Sequence, residues 1–147
     1  MVIGIFGESC TGKSTLAAAL QEPLGAELFS GKDYLRLGKN ESGAKQAFQK
    51  LLREAGPDRS IIYIITEREQ LPLLPDSAVR ILVTAELETI KARFAQRMHG
   101  NLPAPVAAML ERKHGSFDQE PHHIHVRSGQ TSTEEVLSQV QGLLSRT

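Results

Sequence analysis

A single cysteine, Cys10, stands among 147 residues. No intrachain disulfide can therefore form, and a lone thiol suits a reducing compartment, so a cytoplasmic setting is expected. Net charge is missing as well: 17 Lys and Arg balance 17 Asp and Glu. That balance excludes the overall field that draws a chain to nucleic acid or an anionic membrane, while leaving room for a local basic site that takes a small anion. Long apolar runs are absent, and no stretch approaches the ~18 residues of a membrane span. The apolar segments at 2–6 and 16–20 are interrupted by Gly7, Glu8, Gly12 and Lys13, and no basic region precedes them, so they do not read as a signal peptide. There is no internal repeat, low-complexity tract or linker. The remaining composition, 40% hydrophobic and 23% charged, is that of a globular chain whose length holds one domain, taken as residues 1–147.

Apolar runs of strand length alternate with segments of helical period. Val2-Ile3-Gly4-Ile5-Phe6 is almost wholly apolar, as a strand buried on both faces should be. Ala26-Glu27-Leu28-Phe29-Ser30 is a weaker strand, Ile61-Ile62-Tyr63-Ile64-Ile65 the richest in β-branched residues, and Val79-Arg80-Ile81-Leu82-Val83 and Ile124-His125-Val126 complete a set of five. Helices fall between them. One opens at Lys13 and covers residues 16–20. A second places Ala44, Ala47, Phe48, Leu51 and Leu52 on one face and ends at Gly56-Pro57. A third is marked by Leu87, Ile90, Phe94 and Met98. The last carries Val136, Leu137, Val140, Leu143 and Leu144, with Ser132 and Glu135 forming a capping box at its start. Residues 98–115 are broken by Gly100, Asn101, Pro103, Pro105 and Gly115 and should form a small excursion with one short helix. The alternation implies an α/β fold, a parallel sheet with helices on both faces. Ligands of such sheets bind beyond the carboxyl ends of the strands, which should gather Gly7, Ser30, Thr66 and Thr84 around one cleft.

The segment Gly7-Glu8-Ser9-Cys10-Thr11-Gly12-Lys13-Ser14 is a complete P-loop, set between a buried strand and a helix start, which is the context that gives the motif its meaning. Its glycines open backbone conformations closed to other residues. Successive N–H groups then turn inward onto phosphate oxygens, and the helix N-terminus adds partial positive charge. Residues 7–14 together with Thr15 are the expected nucleotide-binding set. Lys13 should reach the β- and γ-phosphates and Ser14 should bind Mg²⁺. Cys10 occupies a variable loop position and is assigned no chemistry.

A P-loop indicates a nucleotide without naming a reaction. The Asn-Lys-x-Asp string that reads guanine is missing, so ATP is the default, and no apolar run ends directly in Asp as a Walker B strand would. Ser128-Gly129-Gln130 faintly matches a transporter signature, but no Walker B follows it. Two segments point elsewhere. Ser30-Gly31-Lys32-Asp33-Tyr34-Leu35-Arg36 resembles the Ser-Thr-Gly-Asp-x-Leu-Arg segment of adenylate kinase-like nucleoside monophosphate kinases, matching at Ser30, Asp33, Leu35 and Arg36. Arg93-Phe94-Ala95-Gln96-Arg97 is similar to the Arg-x3-Arg pair at the start of that family's lid.

The resemblance implies a three-layer α/β/α P-loop fold with strand order 2-3-1-4-5, an acceptor region at about 31–56 and a short lid at about 98–115. It also implies an ATP- and Mg²⁺-dependent transfer of phosphate to a small, anionic acceptor. Arg36 would grip an anionic group with paired hydrogen bonds. Asp33, where shikimate kinase-like enzymes place a carboxylate, would orient the acceptor or bind Mg²⁺ through water. Arg93 and Arg97 would join Lys13 in spreading the charge of the transferring group. Gly100 and Gly115 are hinge candidates, and Arg112 and Lys113 would bring charge over the phosphates. The same residues also fit plainer readings: Asp33 as a helix N-cap, Arg36 in solvent, and 98–115 as a surface loop.

The pattern departs from that family at Lys32, which stands where it has Gly, and after the third strand, where Gly-x-Pro-Arg is replaced by Thr66-Glu67-Arg68-Glu69-Gln70. There Arg68 is the candidate replacement arginine, Gln70 a base reader, and Glu67 either a Mg²⁺-associated carboxylate or an N-cap. His122-His123-Ile124-His125 lacks the partners a zinc site needs and reads as structural or solvated. A nucleotide-binding ATPase or regulatory switch acting on a protein partner is the rival to a kinase. The residues do not decide the oligomeric state.

Overall fold

The computed structural model describes residues 1–145; the last two positions of the domain expected over 1–147 lie outside the described residues. Five parallel strands, β1 (Val2–Phe6), β2 (Ala26–Ser30), β3 (Ser60–Ile65), β4 (Val79–Thr84) and β5 (Ile124–Arg127), form one sheet in the order β2-β3-β1-β4-β5. This is the expected order and strand set. The central strands are the most apolar because both of their faces are covered: all five residues of β1 are buried, as are five of the six of β3. Side chains two apart share a face. Ile3, Ile5, Ile62 and Ile64 therefore pack against α1 (Lys13–Leu24) and α5 (Thr133–Ser145), with Leu16, Leu20, Val136 and Val140 from the helices. Phe6, Tyr63 and Ile65 face the other way, toward α2 (Glu41–Glu54).

On that second face Phe48, fully buried, is the centre of an aromatic cluster. Its ring lies 4.9 Å from Phe29, 5.7 Å from Tyr34 and, edge-on, 4.8 Å from Tyr63. The Tyr63 hydroxyl donates to the Gly31 carbonyl at 2.7 Å, and the Gly31 N–H donates to Ile64 at 2.9 Å. Burial pushes the Tyr63 phenol well above its usual range, so it remains a donor. These contacts hold the exit from β2 and the 3-10 helix that follows it, Asp33–Leu37. The helix α2 begins where Asn40 caps the Gly43 N–H at 2.7 Å and stops at Ala55, just before Gly56-Pro57.

A second 3-10 helix, Arg68–Leu73, follows β3. It is short and interrupted by Pro72, which is why helical periodicity did not reveal it. The helix α3 spans Leu87–Arg97, and the broken region beyond it contains α4 (Ala104–Lys113), the one short helix expected there. Ser132 accepts from the Glu135 N–H at 3.2 Å at the start of α5. No helix among the described residues is long and apolar enough to cross a membrane.

Phe48→Ala should cost about 3–5 kcal/mol of unfolding free energy, the range for emptying a large buried aromatic site. Urea denaturation at matched m-value checks this, and a loss below about 1 kcal/mol would show that the cluster does not carry this face of the core.

Candidate functional site

The P-loop leaves β1 where the backbone has no room for a side chain. A Cβ at Gly7 would lie 2.1 Å from the Val83 carbonyl oxygen of β4, so glycine is required by close approach to a neighbouring strand. Cys10 takes a left-handed conformation, φ 61°, and the Thr11 hydroxyl closes the loop on the Glu8 carbonyl at 2.9 Å. Lys13 opens α1 and folds back inside the loop, donating to the carbonyls of Gly7 at 2.8 Å and of Glu8. It is only 8% exposed, and burial lowers its pKa to about 8, with Cys10 and Glu8 opposing and Arg97 adding to the effect. Ser14 and Thr15, on the first turn of α1, face solvent.

The two arginines of α3 arrive from the other side. Arg93 donates to the Cys10 carbonyl at 2.9 Å and to the Ser128 hydroxyl at 2.9 Å, which ties α3 to the P-loop and to the loop after β5. Arg97 is one helical turn on and exposed. A cavity of about 620 Å³ lies between Thr11, Gly12, Thr15, Arg93, Arg97 and Ser128. A smaller one, about 160 Å³, is lined by Ser9, Gly12, Lys13, Ser14, Thr66 and Arg97. The larger has the size of a small-molecule site and an apolar floor from Val83 and Val126, as a nucleoside requires. The smaller collects the residues expected to face phosphate. Arg97 borders both. Lys13, Ser14, Arg93 and Arg97 thus lie around one loop, where the resemblance to adenylate kinase-like enzymes would put them.

Other expected residues are placed differently. The Asp33 carboxylate accepts from the Ser30 N–H at 2.9 Å and remains exposed. Arg36 lies over the Phe29 ring, its guanidinium carbon 4.5 Å from the centroid, a cation–π contact. Arg68 pairs with Glu120 through two nitrogens, at 3.2 and 3.0 Å. Neither arginine lines the two cavities. Gln70 is 6% exposed and its amide oxygen accepts from the Thr66 N–H at 2.9 Å and the Glu67 N–H at 3.3 Å. It is committed to the backbone rather than to reading a base. Glu67 precedes the second 3-10 helix as its N-cap residue and is exposed. Thr84 does not share the P-loop cleft with Thr66. It lines a separate cavity between the ends of β4 and β5, its hydroxyl 2.8 Å from His125 Nε2.

The segment 98–115 is docked. Leu110, 5% exposed, packs with Ile90 and with Cys10 of the P-loop itself. Lys91 pairs with Glu111 at 2.5 Å and His114 Nδ1 lies 3.1 Å from Glu8 Oε1. Gly100 and Gly115 both have positive φ, 87° and 80°, at the two ends of the excursion. Arg112 and Lys113 are exposed and line neither phosphate-side cavity. Cys10, read as chemically idle, is a packing residue here. Sequence reasoning missed Ser128 and Glu8–His114. The signal for Ser128 was its place just beyond the carboxyl end of the last strand.

No group of three or more His, Cys, Asp and Glu among the described residues is arranged to hold a metal ion by itself. Ser14, which is exposed on the first turn of α1 and lines the smaller cavity, is the residue that would hold Mg²⁺ beside bound phosphates.

No protein-family model matches the chain, and no curated protein does. Solved structures do. The chain has the P-loop kinase fold. It superposes on the YorR protein of Bacillus subtilis, solved with phosphorylated GDP, with a TM-score of 0.61 and 22% identity over 99% of this chain and 96% of that one. Shikimate kinase from Acinetobacter baumannii, in complex with shikimate, gives a TM-score of 0.61 at 14% identity, covering 99% and 93%. A gluconokinase from Sinorhizobium meliloti gives 0.60 at 14%, covering 99% and 91%.

Nucleotide phosphates require Lys13 charged, so binding must hold its proton. With the free group titrating at about 8, ATP affinity should be flat below that pH and fall tenfold per unit well above it, until the pKa of the bound lysine is reached. Lys13→Met should bind more weakly and lose that slope. Calorimetry from pH 6.5 to 9.5 reads both, and an unchanged slope in the variant would remove Lys13 as its source.

Proposed function

We propose that this chain is an ATP- and Mg²⁺-dependent phosphotransferase that moves the γ-phosphoryl group of ATP to a hydroxyl of a small molecule. The observation that supports it is the convergence of Lys13 with Arg93 and Arg97 on the P-loop. A loop built only to hold nucleotide needs its backbone N–H groups and lysine. A guanidinium free on the phosphate side, Arg97, beside a second, Arg93, that fixes the loop from α3, suits a transferring phosphoryl group with its spread negative charge. The fold shared with shikimate kinase and gluconokinase structures agrees with this reading.

In this mechanism the P-loop amides and Lys13 cradle the β- and γ-phosphates. Arg93 keeps its grip on the Cys10 carbonyl and so fixes the loop, while Arg97 is free to meet the phosphates. Mg²⁺, held at Ser14, supplies charge neutralisation when bound. The acceptor hydroxyl approaches from the β2–β3 side of the loop, past Gly31 and Thr66. Its oxygen bonds to the γ-phosphorus, the bond to the β–γ bridging oxygen breaks, and ADP leaves. Asp33 would orient that hydroxyl and take its proton, on releasing the Ser30 N–H. As docked, the 98–115 segment lines neither phosphate-side cavity, so excluding water, which would otherwise be the acceptor, would require it to move over the loop. Arg36 and Arg68 would bind an anionic acceptor only by leaving Phe29 and Glu120. A lone buried thiol and the lack of net charge suit a cytoplasmic enzyme of small molecules, without nucleic acid or membrane as partner.

The test is ADP release with and without a panel of nucleoside monophosphates, nucleosides, hydroxy acids and sugars. One acceptor should raise turnover at least ~100-fold over hydrolysis, a barrier change of about 2.7 kcal/mol. With that acceptor Arg97→Ala should lower kcat by about 10²–10³, the usual loss for one transition-state donor. Unchanged kcat in the variant would exclude Arg97 from transfer. ATP binding with no acceptor response would instead favour a nucleotide switch that acts on a protein.

A further inference from the structure

The carboxyl end of the sheet carries two cavities of opposite charge, divided by the P-loop and Ser128, which lines both. The larger is bordered by Arg93 and Arg97 and by no acid. The second, about 370 Å³, lies on the other face of β4 and β5, against the segment that follows α4. Glu8, Glu86 and Asp118 line it, and Arg127 is its one permanent cation. Three acids against one arginine leave a formal charge of −2 with the imidazoles neutral, and protonating His114 against Glu8 leaves −1. Burial, with Arg127 and His122 beside it, holds the His125 imidazole below its usual range, so His125 does not reverse that sign at neutral pH.

The chemistry of the lining narrows the occupant. Glu86, Asp118 and Arg127 make no side-chain hydrogen bond or ion pair among the described residues. The Glu8 side chain is 9% exposed and has one partner, His114. A metal ion is disfavoured because no such group is arranged to hold one. Carboxylates accept N–H bonds most strongly from a charged donor, while the Gln130 amide and the outer imidazole nitrogens suit hydroxyls. The volume lies within the range of small-molecule sites.

We propose that this cavity, between the ends of β4 and β5 and the post-α4 segment, binds a small hydroxylated molecule bearing an ammonium group. Its floor includes Glu8, the second residue of the P-loop, so the occupant touches the nucleotide-binding loop directly. Its link to phosphoryl transfer, as an effector acting through Glu8 of the P-loop, rests on the kinase reading above; its existence does not.

The probe is glucosamine, with glucose as the control of similar shape and no ammonium. Binding to nucleotide-free protein is followed by the side-chain NMR signals of His114, His122 and His125, so that failure of ATP turnover cannot mask the result. Glucosamine should shift these signals at concentrations where glucose does not, and the double variant Glu86→Gln, Asp118→Asn should weaken binding at least tenfold while retaining the wild-type circular dichroism spectrum. Equal shifts from both sugars, no shift from glucosamine, or unchanged affinity in the double variant would overturn the site. With glucosamine bound, a changed ATP affinity upholds the effector role, and an unchanged one overturns that role.

Discussion

A nearly buried ammonium sits at the centre of this molecule. Lys13 is withdrawn from water into a ring of its own loop carbonyls, and desolvation lowers its proton affinity. Such a group is stable only where oxygen dipoles are fixed around it, and much of the surrounding structure supplies that fixing. The strand β1 delivers Gly7 against the β4 backbone, Thr11 closes the loop onto Glu8, and Arg93 holds the Cys10 carbonyl from outside. On the proposed reading a phosphate would meet a loop already held in place, so little free energy would be lost in ordering it on binding.

The same economy of motion extends to the segment 98–115. Its helix α4 is anchored by Leu110 against Cys10 and Ile90 and by charged contacts to Lys91 and Glu8. Packed in this way, α4 is joined to the P-loop as part of one apolar cluster. Most of the individual charged contacts are partly exposed and weak. The apolar cluster under α4 is what makes the docking persistent, because its burial does not depend on salt or on the protonation of His114.

Charge is distributed with equal consequence. A chain of zero net charge places arginines on one side of the P-loop and carboxylates on the other. Composition alone hides this, since opposite fields cancel in a sum. Across a low-dielectric sheet edge they do not cancel locally, and each cavity keeps a field of its own sign.

Much of the fold was legible before any coordinates. The P-loop is contiguous, and its chemistry lies in the backbone, so eight adjacent residues carry it. The strands showed because burial on both faces demands near-unbroken apolar runs, and Arg93 and Arg97 showed because helical spacing places them on one face at the end of a known element. What stayed hidden depends on partners far along the chain. Arg68 reads as a free cation until the fold brings Glu120 to it across 52 positions, and Arg36 as a phosphate grip until Phe29 lies beneath it. Ser128 reads as loop until it meets Arg93 across 35, and His114 as lid until it reaches Glu8 across 106. The sequence by itself determined the layers, the strand set and the phosphate-binding loop, because these follow from local periodicity and backbone chemistry. Only the tertiary structure decided which charged side chains are free to act, because the partner that occupies or releases each one is chosen by the packing of distant elements.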